Sequence, residues 1–134
     1  MSKNQCPCGS GKEYAQCCKL YHDGFIAAPT AESLMRARYS AYVLEKADYI
    51  IKTWEELARP PVIEFDKQIK WLGLEIEQVD FGSEFDDQGW VEFRAKFEIA
   101  GMKSEQYERS RFIKDGSEWF YDSMNSLEIH EDDD

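Results

Sequence analysis

The chain has 134 residues, 43% hydrophobic, 14% aromatic and 32% charged, which suffices for one ordinary domain with a small appendage. A formal net charge of −11 excludes a general affinity for nucleic acid or for an anionic membrane, since either surface repels most of this protein. The polar start MSKNQ lacks the apolar core of a secretory signal and no apolar run is long enough to span a bilayer, so the expected location is the cytoplasm.

All four cysteines fall within Gln5–Leu20, QCPCGSGKEYAQCCKL: Cys6 and Cys8 form a C-x-C pair, and Cys17-Cys18 follow after eight residues. In a reducing compartment such a cluster reads as a metal site rather than a disulfide framework. Zinc is the default ion for four compact thiolates, and the same cage suits iron. Gly9 and Gly11 tolerate positive φ, which lets the chain fold back and aim amide N–H groups at the sulfurs. Lys12 and Lys19 offset part of the charge of about −2 that four thiolates leave on a divalent ion. With every position filled by sulfur the site is closed, so its metal holds structure and activates no water. Redox-active or simply buried thiols are the alternatives. The cluster is not C-x-x-C in a βαβ pattern, and a vicinal Cys17–Cys18 disulfide is strained. His22, just beyond, is either a partner of the metal site or an ordinary surface residue.

Residues 23–29 form a connector. Thr30 is an N-cap for a helix over Ala31–Lys46, which carries Leu34, Ala37, Ala41 and Leu44 on one stripe and Met35, Tyr39, Tyr42 and Val43 beside it. Asp48 is placed to cap a second helix, Tyr49–Leu57, stopped by Pro60-Pro61. Phe65 and Ile69 suggest a short third helix over Val62–Lys70. From Trp71 the period changes to two: Leu72, Leu74 and Ile76 alternate with Gly73, Glu75 and Glu77. Gly82–Gly89 turns the chain, and Trp90–Ile99 buries Val91, Phe93, Ala95, Phe97 and Ile99 on one face. Glu105–Lys114 and Glu118–Met124 follow as strands joined at Asp115-Gly116, and the acidic residues 128–134 read as a solvated tail. Helices followed by an antiparallel meander imply an α+β domain over residues 30–127, with a curved sheet wrapping the helices as a cone behind a knuckle at residues 1–22.

The string CPCGSGKEYAQCC closely resembles the SEC-C motif, with Cys6, Cys8, Cys17 and Cys18 on its four zinc-ligand positions and Ser10-Gly11 on its Ser-Gly. That motif ends the SecA translocation motor, where it contacts the SecB chaperone and ribosomes; the resemblance implies a knuckle that docks a protein or ribonucleoprotein partner. Beyond the cysteines, LMRARYSAYVLEKADYIIKTW, WLGLEI and ERSRFIKDGSEWFYDS are similar to the YchJ-type family of small bacterial proteins. The resemblance implies a nuclear-transport-factor-2-like, cystatin-like cone after the knuckle. Some members carry a second SEC-C segment at the C-terminus, whereas this sequence reads EIHEDDD there.

The mouth of the cone is the natural place for a pocket. Candidates to line it are Arg94, Arg109 and Arg111 with Tyr39, Trp54 and Tyr121; Arg36 and Arg38 on the first helix belong to the same set. Guanidinium groups there would grip an anionic ligand, and pairing with Glu75, Glu92, Glu108 or Asp122 competes with that role. No catalytic residue stands out: neither His22 nor His130 lies in a pocket-forming element, and there is no phosphate loop or nucleophile elbow. The sequence therefore favours a non-enzymatic protein that docks a partner through its knuckle, with the sheet of the cone as a candidate surface for homodimerisation. The alternative is a cone pocket that binds or turns over a small anion.

Overall fold

Thr30 opens the longest helix as the residue type predicts. In the computed structural model, which describes residues 4–130, its hydroxyl accepts from the Ser33 backbone N–H at 3.1 Å while Ser33 Oγ accepts from the Thr30 N–H at 2.9 Å. This reciprocal cap satisfies two otherwise orphaned donors. Before it lie a single 3₁₀ turn, Tyr14–Gln16, and the short helix α1, Cys18–His22. The capped helix is α2, Ala31–Leu44; it ends at Glu45 in left-handed backbone, two residues short of the expected Lys46.

Helix α3 spans Ala47–Lys52 with Lys46 at its N-cap, so Asp48 sits in the first turn, where its charge complements the helix dipole, rather than at the cap. The expected extension to Leu57 does not form because strand pairing takes over the backbone: Tyr121 N–H donates to Thr53 O and Glu55 N–H donates to Tyr121 O, both at 2.8 Å. No helix forms over 62–70. An Asx turn occupies its centre, with Asp66 Oδ1 accepting from Gln68 N–H at 2.9 Å, and Phe65 packs edge-on against Tyr42.

Four strands complete the domain: β1 (Lys70–Phe81), β2 (Gln88–Ile99), β3 (Met102–Asp115) and β4 (Glu118–Glu128), paired antiparallel in sequence order. Irregularities at Trp71/Gly73 and Ile76/Gln78 in β1, and at Arg109/Arg111 in β3, bend the sheet around α2. The first of these also shifts the burial phase. Trp71 turns inward between Tyr39 and Phe97, whereas Leu72, which shares the alternation of Leu74 and Ile76 in the sequence, is 42% exposed. Strand β4 runs four residues past Met124, and Ile129 N–H still donates to Tyr107 O at 2.8 Å, so the start of the expected tail is paired. Residues 131–134 lie outside the described part.

The concave face presents Val91, Phe93, Ala95, Phe112 and Trp119 to Leu34, Ala37 and Ile50 of the helices. Cys6, Cys8 and Cys18 belong to this same buried cluster, so side-chain packing continues across the boundary between knuckle and cone at residue 22. Among the described residues no helix is long and apolar enough to cross a membrane.

Candidate metal centre

A small antiparallel bridge between Gln5 and Glu13 closes the N-terminal loop, and Cys6 N–H donates to Lys12 O at 2.9 Å. Inside the loop Gly9 and Gly11 have φ of 82° and 86°, the left-handed backbone their residue type permits. The loop thereby places Cys6 and Cys8 opposite Cys17 and Cys18 at the start of α1, with all four Sγ atoms within 4.8 Å of one another. Cys8 and Cys17 sulfurs are 3.7 Å apart. Tetrahedral ligands at a Zn–S distance of about 2.3 Å would stand about 3.8 Å apart, so this spacing suits zinc without rearrangement of that pair.

Electrostatics favour a cation. Hydrogen bonds from Cys18 and Cys8 hold the Cys6 thiol well below its ordinary range, with the Cys8 backbone N–H adding to the effect. The same contacts with Cys6 and Cys8, reinforced by burial, push Cys18 up. Four thiolates this close and this buried require a positive ion among them.

Helix α2 supplies the floor. Ser40, fully buried, places Oγ 3.5 Å from Cys6 Sγ, and Ser10 Oγ lies 3.2 Å from Cys17 Sγ. Arg36 donates from Nη1 to Cys8 O at 2.6 Å and from Nε to Glu32 at 3.0 Å, tying the knuckle to the helix. His22 completes the attachment. Its Nε2–H donates to Ala37 O at 2.8 Å, which leaves Nδ1 to accept from Tyr14 OH at 2.7 Å. Burial pushes the Tyr14 phenol up to about 12 and holds His22 below its usual value, so both keep these roles at neutral pH. Neither the Ser40 contact nor the His22 role was evident from spacing, since Cys6 and Ser40 are 34 residues apart and His22 and Ala37 are 15 apart. Lys12 is exposed and Lys19 pairs with Asp23.

The other sequence-predicted site divides. Tyr39, Trp54 and Tyr121 line a cavity of about 280 Å³ between α2 and the concave face of the sheet. Arg94, Arg109 and Arg111 do not line it. They project from the opposite face: Arg94 pairs with Glu77 and Glu105 and stacks on Tyr107, Arg109 reaches Asp80 at 2.8 Å and Glu92 at 3.2 Å, and Arg111 pairs with Asp122. The cause is strand parity, because the alternation that turns Val91, Phe93 and Ala95 inward turns Arg94 and its cross-strand neighbours outward. Of the two α2 arginines in the candidate set, Arg38 does line the cavity while Arg36 turns to the knuckle, and Glu108 of β3, expected only as an arginine partner, joins the lining.

A four-cysteine knuckle fastened to the helix of a curved-sheet cone defines a SEC-C protein with a nuclear-transport-factor-2-like domain. Residues 3–20 match the SEC-C motif and residues 30–124 match the family described as YchJ, middle NTF2-like domain. The chain belongs to this YchJ family of bacterial proteins. It is 43% identical to a UPF0225 protein of Chromobacterium violaceum over 87% of this chain and 88% of that one. With the UPF0225 protein of Streptomyces coelicolor the identity is 42%, covering 87% and 90% of the two chains. The solution structure of a SEC-C motif containing protein from Rhodopseudomonas palustris superposes with a TM-score of 0.80 at 30% identity, covering 93% of this chain and 98% of that one. A second, the crystal structure of a SEC-C motif containing protein from Psychrobacter arcticus, gives 0.73 at 32% identity over 90% and 81%.

Proposed function

We propose that Cys6, Cys8, Cys17 and Cys18 hold one structural zinc ion, and that the knuckle so fixed docks a protein partner without itself catalysing a reaction. The carrying observation is the convergence of four sulfurs within 4.8 Å, three of them on buried residues. A closed sulfur set offers the ion no open position, so its contribution lies in the shape of the surface around it. That surface is apolar where α1 leaves the knuckle: Phe25 is 75% exposed and Ile26 is 52% exposed. Such side chains next to a rigid, metal-fixed turn supply the anchors that protein interfaces use.

Elemental analysis of the purified chain is expected to give one zinc per molecule, lost in the Cys6→Ser/Cys8→Ser variant. Affinity capture should then recover a protein partner with the native chain. The Phe25→Ser/Ile26→Ser variant, which keeps its metal, should not recover it. A metal-free native chain, or capture indifferent to both variants, would overturn the proposal.

A further inference from the structure

We infer that the cone cavity is a binding site for a small organic carboxylate, gripped by the Nε/Nη2 edge of Arg38. Among the described residues Arg38 is the buried arginine, 4% exposed, in a chain that carries 27 acidic residues. Yet no carboxylate of the described residues lies within salt-bridge distance of it: the ion pairs that arginines form there involve Arg36, Arg94, Arg109 and Arg111. Glu108 in the same cavity favours the charged form only from a distance, and a buried cation without a carboxylate in direct contact is costly, so its surroundings must stabilise it in other ways as well.

They do so at one end and through an aromatic pair. Nη1 donates to Ile50 O and to Thr53 Oγ1, each at 2.8 Å. The guanidinium carbon stands 5.1 Å from the Trp54 ring centre and 4.6 Å from that of Tyr121, and those two rings are themselves only 5.3 Å apart, so the aromatic pair flanks the cation from one side. Nε and Nη2 have no acceptor among the described residues. Every fully buried side-chain nitrogen or oxygen among the described residues has a partner, so these N–H groups open on the cavity that Arg38 lines. With Nη1 occupied and an aromatic pair on one side, the guanidinium keeps its Nε/Nη2 edge free, and the two parallel N–H bonds there match the two oxygens of a carboxylate.

The rest of the cavity selects the body of the ligand. Glu108, the one carboxylate lining it, is already hydrogen-bonded by Gln106 at 2.8 Å, Ser110 at 2.6 Å and Tyr121 at 3.0 Å, so it acts on Arg38 through space and does not occupy its N–H groups. Most of the remaining wall is apolar or aromatic, including Met35, Trp71, Phe93 and Phe112. A volume of about 280 Å³ accommodates an aromatic ring or short branched chain beside the carboxylate; a dry cavity of about 150 Å³ is enough for benzene.

The test uses the full chain loaded with zinc and phenylacetate as probe, with phenylacetamide as the uncharged counterpart and hexanoate as an unbranched one. Titration followed by ¹H–¹⁵N NMR should move the indole signals of Trp54 and Trp71 and leave that of Trp90, on the outer face, in place. The amide should bind about tenfold more weakly or worse, as should Arg38→Lys, which keeps the charge and loses the fork. Ala95→Leu, which fills the cavity without touching Arg38, should abolish binding while the melting temperature is kept. It carries the test if Arg38→Lys proves unstable. Equal affinity for the amide, binding unchanged in Ala95→Leu, or no response to either carboxylate at about 10 mM would overturn the inference.

Discussion

Removing the metal should melt more than the knuckle. Cys8 and Cys18 are fully buried and pack in one cluster with Leu34, Ala37, Ala41 and Ile50, and Ser40 and Arg36 of α2 touch the knuckle directly. Loss of the ion leaves four crowded sulfurs without the charge that holds them together, and it releases the loop whose closure positions Tyr14 against His22. At a free zinc concentration about a thousandfold above the dissociation constant, metal linkage contributes about 4 kcal/mol to folding. For a domain of this length each kcal/mol moves the melting temperature by roughly 3–5 °C, so complete chelation should lower it by about 12–20 °C. The check is a thermal scan by circular dichroism of zinc-loaded and chelated protein, with metal content measured on both samples. The backbone amides of Ile50 and Val91, in the core of the cone, should report the same loss by hydrogen exchange. An unchanged melting temperature with metal demonstrably gone, or loss of protection confined to residues 5–22, would show that the knuckle does not stabilise the cone. Thiolates must form for the ion to bind, so the stabilisation should fade as acid reprotonates them.

His22→Gln should cost about 1–3 kcal/mol at pH 8, because Tyr14 OH and Ala37 O both lose a partner in a half-buried site. The sign with pH follows from burial, which lowers the folded-state value below that of the unfolded chain near 6.5. The neutral ring therefore contributes stability above about pH 6.5, and that contribution is lost as the pH falls through the lower folded value. The difference between wild type and variant, measured by urea unfolding at matched zinc content, should shrink from pH 8 to 5.5; a constant difference would contradict a neutral buried imidazole. Gly89→Ala should destabilise by more than about 2 kcal/mol through overpacking. A methyl there would stand 2.4 Å from Gly82 Cα, and Gly82 itself has Ala31 Cβ only 2.7 Å from where its own side chain would begin. Since Gly82 O accepts from Ala31 N–H, the clash would push the β1–β2 turn off the start of α2, and an unchanged urea midpoint would show that the turn gives way without cost.

The sequence signals that survived folding were those in which local and tertiary demands agree. Thr30 caps α2 with its own side chain, and the strict alternation from Val91 to Ala95 holds because β2 has a strand on each side and a helix on one face. Where a competing partner existed, periodicity misled: Phe65 and Ile69 have helical spacing, but Asp66 offers the backbone a turn and Tyr42 offers Phe65 an aromatic edge. The arginines show the limit more sharply. Composition makes Arg38, Arg94, Arg109 and Arg111 equivalent, and only position relative to the apolar pattern separates them. Arg94 alternates with Val91, Phe93 and Ala95, so parity alone sends it to the outer face; Arg109 and Arg111 follow once Glu92 and Trp90 are known to be their cross-strand partners. Arg38 is the reverse case, standing four residues after Leu34 and three before Ala41, inside the stripe that α2 buries. A charged side chain in a buried stripe needs acceptors that the stripe itself cannot provide. In this fold they come from Ile50 and Thr53 at the end of α3 for half of the guanidinium, and the other half is left facing a cavity. That unspent donor edge, rather than the number of arginines in the cone, is what gives the pocket a chemical preference.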